Sequence, residues 1–181
     1  MTQNKVNIVC EEAIMAISKG DREALSVVYD SMSRMIFSVA LAVTGSTTDA
    51  EDVLQDTLIG IIRSANTYKP GTNARAWILS IARNRAIDLV RRRRSTVPLE
   101  EAALHPDPMA QDFHQSLSAM ELLAPLSEKD RELVVLRLCR ELSFEEIAQL
   151  LGITLAGTQK RYQRAIHKLK KHYCKGGHGN E

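Results

Sequence analysis

A cluster of carboxylates at Asp49, Glu51, Asp52 and Asp56 is the first group of side chains that could do chemistry. In an enzyme these carboxylates could bind a metal ion, but no His or Cys lies nearby to complete a ligand set. Acidic residues at the start of a helix also interact favourably with the helix dipole. The cluster therefore favours a surface that attracts a basic partner helix, and a metal-dependent helical enzyme stays the alternative.

A basic segment near the carboxyl end has the opposite charge. From Lys160 to Lys175, Lys and Arg recur and no Asp or Glu occurs. A short apolar helix up to Leu151 and a turn at Gly152–Ile153 precede it, and together they predict a helix-turn-helix. A helix this basic behind such a turn fits the major groove of DNA. The plainer alternative is a solvated basic face on an ordinary helical hairpin.

The spacing of three and four residues divides this basic helix into two faces. The packing face is predicted to contain Leu155, Thr158, Tyr162, Ala165 and Leu169. The face available to DNA is predicted to contain Gln159, Lys160, Arg161, Arg164 and Lys168.

A second basic helix is predicted from Ala74 to Arg94. Arg83, Arg85 and the run Arg91–Arg94 could follow a phosphate backbone. The irregular loop Tyr68–Asn73 comes directly before this helix and could fold over its polar surface, where Asn84 lies. Without that loop, Asn84 would be an ordinary exposed helix residue.

The composition and the missing motifs exclude several functional classes. The formal net charge is only +2, so the segregation of charge matters more than its sum. Aromatic residues make up 4%, too few for the stacking platform of a single-strand-binding barrel. The 3 cysteines are too far apart for a disulfide framework or a paired-cysteine zinc motif, which favours a reducing compartment. Glycine-rich phosphate loops and the common hydrolase motifs are missing, so we expect no catalysis, cofactor or metal.

We also expect no membrane-spanning segment and no signal peptide. The longest nearly apolar stretch, Met35–Val43, is too short to cross a bilayer. The residues from Met1 to Asn7 are polar and are followed by acidic residues, unlike a secretory leader.

Apolar residues recur at helical spacing along the chain, and strand-like alternation is missing. One stripe runs from Leu25 to Val43 and a second from Ala50 to Ala65, with a turn at Gly45–Thr47 between them. A capping-box pattern at Thr48–Glu51 predicts the start of the second helix, and another at Ser143–Glu146 predicts the start of the helix that ends at Leu151. The fold class is therefore predicted to be all-α.

A change in composition predicts the domain boundary. Residues 95–112 contain prolines and acidic residues without Lys or Arg, which is typical of a flexible acidic linker. It separates a small helical domain at 1–94 from a second one at 113–174 that contains the helix-turn-helix. Residues 175–181 are glycine-rich and are predicted to form a frayed tail.

The motifs, taken in order, resemble the bacterial sigma factors, specifically the small extracytoplasmic-function group of the sigma-70 family. Residues 49–56 look like the core-polymerase-binding helix of that family. Residues 76–94 look like its promoter-melting helix, and residues 126–132 and 142–148 resemble its C-terminal domain. The short stretch from Arg94 to Ser127 leaves no room for the middle domain of larger sigma factors.

The resemblance implies a cytoplasmic transcription initiation factor whose partners are core RNA polymerase and promoter DNA. It also implies an anti-sigma factor that could hold the protein at the membrane. Contacts to the clamp helices of the largest polymerase subunit would come from Asp49, Asp52, Leu54, Gln55 and Asp56. A base flipped out of the minus-ten element would be captured by Tyr68, Asn73, Leu79, Arg83, Asn84, Arg91 and Arg92. The minus-thirty-five element would be read by the DNA-facing side chains of the C-terminal basic helix.

The start of the C-terminal basic helix departs from the family pattern, which has Gly-Thr-Val there. An ungapped alignment places Ala156, Gly157 and Thr158 at these positions, so Gly-Thr is displaced by one residue. Gly157 in the first helical turn costs up to about 1 kcal/mol relative to Ala. An alternative alignment inserts one residue and rotates the helix by about 100°, which moves Tyr162 out of the core.

Two rival functions also follow from the residues. A two-domain DNA-binding regulator that never engages polymerase would leave the acidic helix unexplained. A small helical enzyme would use the carboxylates of residues 49–56 with a metal. Promoter-dependent transcription with purified core polymerase separates both rivals from a sigma factor.

Overall fold

The computed structural model describes residues 2–96, 114–138 and 142–174. The chain divides into two compact units, Met1–Phe113 and His114–Glu181. The regular elements in the described ranges are all helices, which confirms the all-α prediction. The predicted tail and all but the first two residues of the predicted linker lie outside the described residues.

The first unit is a helical bundle in which α2 is the central helix. Its helices are α1 (Thr2–Ser18), α2 (Leu25–Thr44), α3 (Thr47–Ser64) and α4 (Ala74–Thr96), with a short 3-10 helix at Ala65–Thr67. α2 packs against α1, α3 and α4. Ile36, Phe37 and Ala40 on α2 are completely buried, because their spacing places them on the face shared with these neighbours.

Helix α3 begins earlier than the sequence pattern predicts. Gly45 adopts a left-handed conformation, and its N–H donates to the carbonyl of Leu41. Ser46 is extended, and its hydroxyl accepts a 3.3 Å hydrogen bond from the N–H of Asp49. The predicted cap at Thr48 is therefore wrong by two residues, since Ser46 is the first side chain after the reversal that can reach a free N–H of α3.

α2 extends well beyond the apolar stretch Met35–Val43 considered in the sequence. Among the helices of the described ranges, it alone has the length and composition needed to cross a membrane. The central helix of a helical bundle meets the same two criteria. Of its most apolar window, 44% is buried, and the buried side chains pack against the other helices of the unit.

The second unit contains α5 (His114–Leu122), α6 (Glu128–Leu138), α7 (Phe144–Leu151) and α8 (Leu155–Cys174). α6, α7 and α8 pack on one another around Leu133, Leu136 and Ile147. The capping box predicted at Ser143 is confirmed, with Glu146 as its reciprocal partner. α7 and α8 form the predicted helix-turn-helix.

Candidate protein and nucleic-acid interfaces

One face of α3 is exposed and contains two carboxylates. Asp52, Gln55 and Asp56 lie on it, and Ile59 on the same face is 45% exposed. Since these positions are three or four residues apart, they form one continuous strip, which we call the α3 strip. Sequence reasoning missed Ile59 because an apolar residue suggests burial. Its spacing from Asp52 and Asp56 was the signal that could have placed it there.

Two predicted polymerase contacts lie inside the bundle instead. Leu54 is 2% exposed and Asp49 is 3% exposed. The carboxylate of Asp49 pairs with the guanidinium of Arg93 on α4, with 2.5 Å between Oδ2 and Nη1. Burial raises the pKa of Asp49, and the attraction of Arg93 offsets the rise only in part. Both side chains hold α3 in the bundle, so the predicted contact surface shifts to the exposed strip.

The carboxylates of α3 do not converge on one point. Asp49 and Glu51 are buried, whereas Asp52 and Asp56 are exposed. No group of three His, Cys, Asp or Glu residues that could hold a metal ion is found in residues 2–96, 114–138 and 142–174. This arrangement does not support the metal-enzyme alternative.

The loop before α4 is built around an ordered turn. The turn Lys69–Thr72 is closed by a 3.3 Å hydrogen bond from the N–H of its last residue to the carbonyl of its first. Pro70 in second position and Gly71 at φ +81° in third position make it a type II turn. The hydroxyl of Tyr68 donates to the carbonyl of Thr72 at 2.9 Å. Its ring packs edge-on against Trp77 of α4, with 5.4 Å between the ring centroids.

The predicted minus-ten residues divide into inner and outer groups. Leu79 is completely buried and Tyr68 is 7% exposed, so these side chains support the loop and α4 from within. Asn73 caps α4, because its Oδ1 accepts the N–H of Ala76 at 2.9 Å. Of the others, Arg83 is half-buried, and the exposed ones are Asn84, Arg91 and Arg92.

The displaced glycine at the start of α8 has a local explanation. The hydroxyl oxygen of Thr154 accepts the N–H of Gly157 at 3.1 Å, and the carbonyl of Thr154 accepts the Thr158 hydroxyl at 3.0 Å. A Cβ on Gly157 would lie only 2.9 Å from that capping oxygen. A side chain at this position would therefore disturb the cap, which offsets the cost of glycine in the first turn.

The packing face of α8 agrees with the ungapped alignment. Thr158 is fully buried and Ala165 is 2% exposed. Tyr162 is half-buried and packs edge-on against Phe144 of α7, with 5.4 Å between ring centroids. Leu155 is more exposed than predicted, because it lies in the first turn at the end of this face. The inserted alignment would turn Tyr162 away from Phe144.

Arg161 is held by α6 rather than pointing freely outward. Its Nε donates to Oδ1 of Asp130 at 2.6 Å, and the hydroxyl of Ser127 donates to the other carboxylate oxygen at 2.7 Å. Burial alone would raise the pKa of Asp130, but the hydrogen bonds from Arg161 and Ser127 outweigh it and lower the pKa. The other predicted DNA-facing side chains are all exposed: Gln159, Lys160, Arg164 and Lys168.

Comparisons with known proteins identify the two units. The model of sigma-70 region 2 matches residues 28–96, and the model of sigma-70 region 4 matches residues 116–169. RNA polymerase sigma factor CarQ of Myxococcus xanthus is 34% identical over 144 residues, covering 77% of this chain and 78% of CarQ. The chain belongs to the extracytoplasmic-function group of the sigma-70 family.

Other relatives of this sigma factor support the same family assignment. The extracytoplasmic-function sigma factor SigE of Mycolicibacterium smegmatis is 32% identical over 174 residues, covering 86% of this chain and 65% of SigE. A structure of CnrH with the cytosolic domain of CnrY has a TM-score of 0.66 at 22% identity, covering 90% of this chain and 96% of CnrH, and shows the shared fold. RpoE from Bartonella quintana, crystallised with the anti-sigma factor NepR, has a TM-score of 0.62 at 25% identity, covering 79% of this chain and 92% of RpoE.

As a sigma factor, the protein directs promoter-specific transcription by RNA polymerase. The family contains transcription regulators rather than catalytic enzymes.

Proposed function

We propose that this sigma factor binds the clamp helices of the largest polymerase subunit through the α3 strip. Asp52 and Asp56 supply negative charge for a basic partner helix, which favours both encounter and orientation. Ile59 adds an exposed apolar side chain of the kind that contributes to the core of a protein interface. The ion pair between the buried Asp49 carboxylate and the exposed Arg93 helps to hold the strip in place.

For promoter opening, we propose that the loop 68–73 and the exposed side of α4 capture a base from the minus-ten element. Extruding a base costs a few kcal/mol of unstacking, so the receiving pocket must return hydrogen bonds and contact area. Asn84 offers an exposed amide, and Arg91 and Arg92 offer positive charge for the phosphate backbone. The buried side chain of Leu79 would support this surface from beneath.

For the minus-thirty-five element, we propose that α8 enters the major groove with its exposed basic face. Gln159, Lys160 and Arg164 are near the start of the helix and would read base edges, while Lys168 would contact phosphate. Arg161 would orient α8 through Asp130, and it would reach DNA only by giving up part of that ion pair.

We propose further that the protein acts in the cytoplasm under the control of an anti-sigma factor. Transcription occurs in that compartment, and the two solved relatives above are complexes with CnrY and NepR. An anti-sigma factor anchored in the membrane would hold the protein there until it is released.

The observation that supports these proposals is that three charged surfaces stay exposed after the two cores have formed. They are the acidic α3 strip and the basic faces of α4 and α8. To test this, the purified full chain is added to core polymerase, and the transcripts made from a promoter template are measured. Promoter-dependent transcripts are expected. Tight binding to duplex DNA without any affinity for core polymerase would instead favour the regulator.

A further inference from the structure

α1 contacts the loop that we propose captures the flipped base, although α1 lies outside the matched residues 28–96. Oε1 of Glu11 accepts the backbone N–H of Gly71 at 2.6 Å, across 60 residues of chain. Four residues earlier on α1, Oδ1 of Asn7 accepts the N–H of Arg75 in the first turn of α4 at 3.4 Å. Both side chains therefore bind backbone donors at the entrance to α4.

The turn itself explains why such an acceptor is useful. The hydrogen bond that closes the turn uses the N–H of Thr72, which leaves the N–H of Gly71 without a partner inside the turn. The Glu11 carboxylate supplies that partner with a charge-assisted hydrogen bond. This acceptor lies on α1, 60 residues away along the chain, so the contact is a tertiary feature.

A second observation places Glu11 at the base of the same loop. Burial raises the pKa of the Tyr68 hydroxyl, and the nearby Glu11 carboxylate raises it further. The Tyr68 ring packs against Trp77, so Glu11 lies beside the point where the loop rests on α4. The turn, the ring contact and the carboxylate thus form one connected support.

The physical consequence concerns the cost of ordering the loop. A surface loop that is mobile before binding loses conformational entropy when it closes on a base, and this loss weakens both affinity and selectivity. A loop already held by hydrogen bonds to a neighbouring helix loses less. Its shape can then favour one base over another.

We propose that Glu11, assisted by Asn7, is a positioning residue that holds the loop 68–73 in the conformation that selects the minus-ten base. The proposal rests on the proposed capture of a flipped base by this loop. Glu11 acts through the backbone of Gly71 and need not touch DNA.

The test uses full-length sigma factor with core polymerase on a template pool whose minus-ten element is randomised. Sequencing the transcripts gives the base preference at each position. Glu11→Ala removes the acceptor, Glu11→Gln keeps an oxygen that can accept, and Glu12→Ala makes the same charge change at an exposed neighbouring position. Core-binding affinity and thermal unfolding are measured for each variant, and transcription is compared at equal core occupancy.

We expect Glu11→Ala to reduce the preference for the favoured minus-ten base by about three- to tenfold, the effect of losing one hydrogen bond. Glu11→Gln should retain most of the preference, and Glu12→Ala should match the wild type. An unchanged preference in Glu11→Ala would overturn the proposal, and so would an equal loss in Glu11→Gln. If the wild type selects no minus-ten sequence at all, the proposed capture of a base fails, which is a different result from selection retained by Glu11→Ala.

Discussion

Burial separates acidic residues of the same type on α3 into different roles. The Asp49 carboxylate is buried and pairs with the exposed Arg93, whereas Asp52, one turn later, lies on the exposed strip. A buried carboxylate that already has an ion-pair partner would have to lose that partner before it could meet another protein. Asp52 has no such cost, so it is the better residue to test as a polymerase contact.

We predict that Asp52→Lys and Gln55→Ala each weaken binding to core polymerase, the charge reversal by at least about tenfold. Both positions are exposed, so the helices should stay folded. The measurement is a competition assay with labelled sigma factor, with circular dichroism as the folding check. Asp30→Lys reverses an exposed charge on a different helix, α2, and should bind normally. Unchanged affinity in both strip variants would remove the assignment of this surface.

At the scale of helices, α6 fixes the orientation of α8 through a polar contact beside the apolar one. Ser127, Asp130 and Arg161 form a connected set in which the serine also caps α6. The carboxylate and the guanidinium are 28% and 25% exposed, so water screens their attraction in part. The contact is therefore better suited to orienting α8 than to stabilising the whole unit.

This arrangement predicts that Asp130→Ala and Arg161→Ala lower discrimination at the minus-thirty-five element to a similar extent. The double variant should lose little more than either single variant, because both remove the same contact. Arg164→Ala should cost about 1–3 kcal/mol of discrimination by itself and should add to Asp130→Ala. The readout is binding of holoenzyme to promoters with single substitutions. If only Arg161→Ala loses discrimination, Arg161 reads a base edge directly; a uniform loss across promoters would mark a phosphate contact.

The lowered pKa of Asp130 predicts a pH dependence for the second unit. A carboxyl group whose pKa is lower in the folded state stabilises that state above its unfolded pKa of about 3.9. The contribution is lost as the pH falls through the folded value. The unfolding free energy of the full chain, measured by chemical denaturation, should decline less from pH 7 to pH 3 in Asp130→Asn than in the wild type. A variant with the same slope as the wild type would show that the ion pair is not maintained in solution.

At the scale of the whole molecule, each unit has an apolar core of its own. Leu79 is completely buried in the first unit and Leu133 is completely buried in the second. Each residue packs among helices of its own unit, so the cavity left by a smaller side chain should first destabilise that unit.

We therefore predict that Leu79→Ala and Leu133→Ala act on different unfolding transitions of the full chain. Each substitution should destabilise its own unit by about 2–5 kcal/mol, the usual cost of removing a buried leucine side chain. Differential scanning calorimetry should show one transition lowered by the first variant and another lowered by the second. A single transition shifted equally by both would show that the units unfold together.

Several features were predictable from the sequence because their causes are local. Helical periodicity, the capping box at Ser143 and the turn at Gly152 depend on neighbouring residues, and the structure confirms each of them. Segregated charge along α3 and α8 likewise indicated which helices would have charged faces. The cap of α3 was misplaced because Thr48 and Ser46 both match a capping pattern, and only the path of the chain after Gly45 distinguishes them.

The sequence by itself determined an all-helical chain of two modules with an acidic helix, a basic helix after a turn, and a basic helix-turn-helix. The tertiary structure decided which side chains of those helices remain exposed. It buried Leu54 and Leu79 and paired Arg161 with Asp130. The reason is that periodicity is read along a single helix, whereas burial and pairing depend on which helix packs against it, as when Glu11 meets the N–H of Gly71.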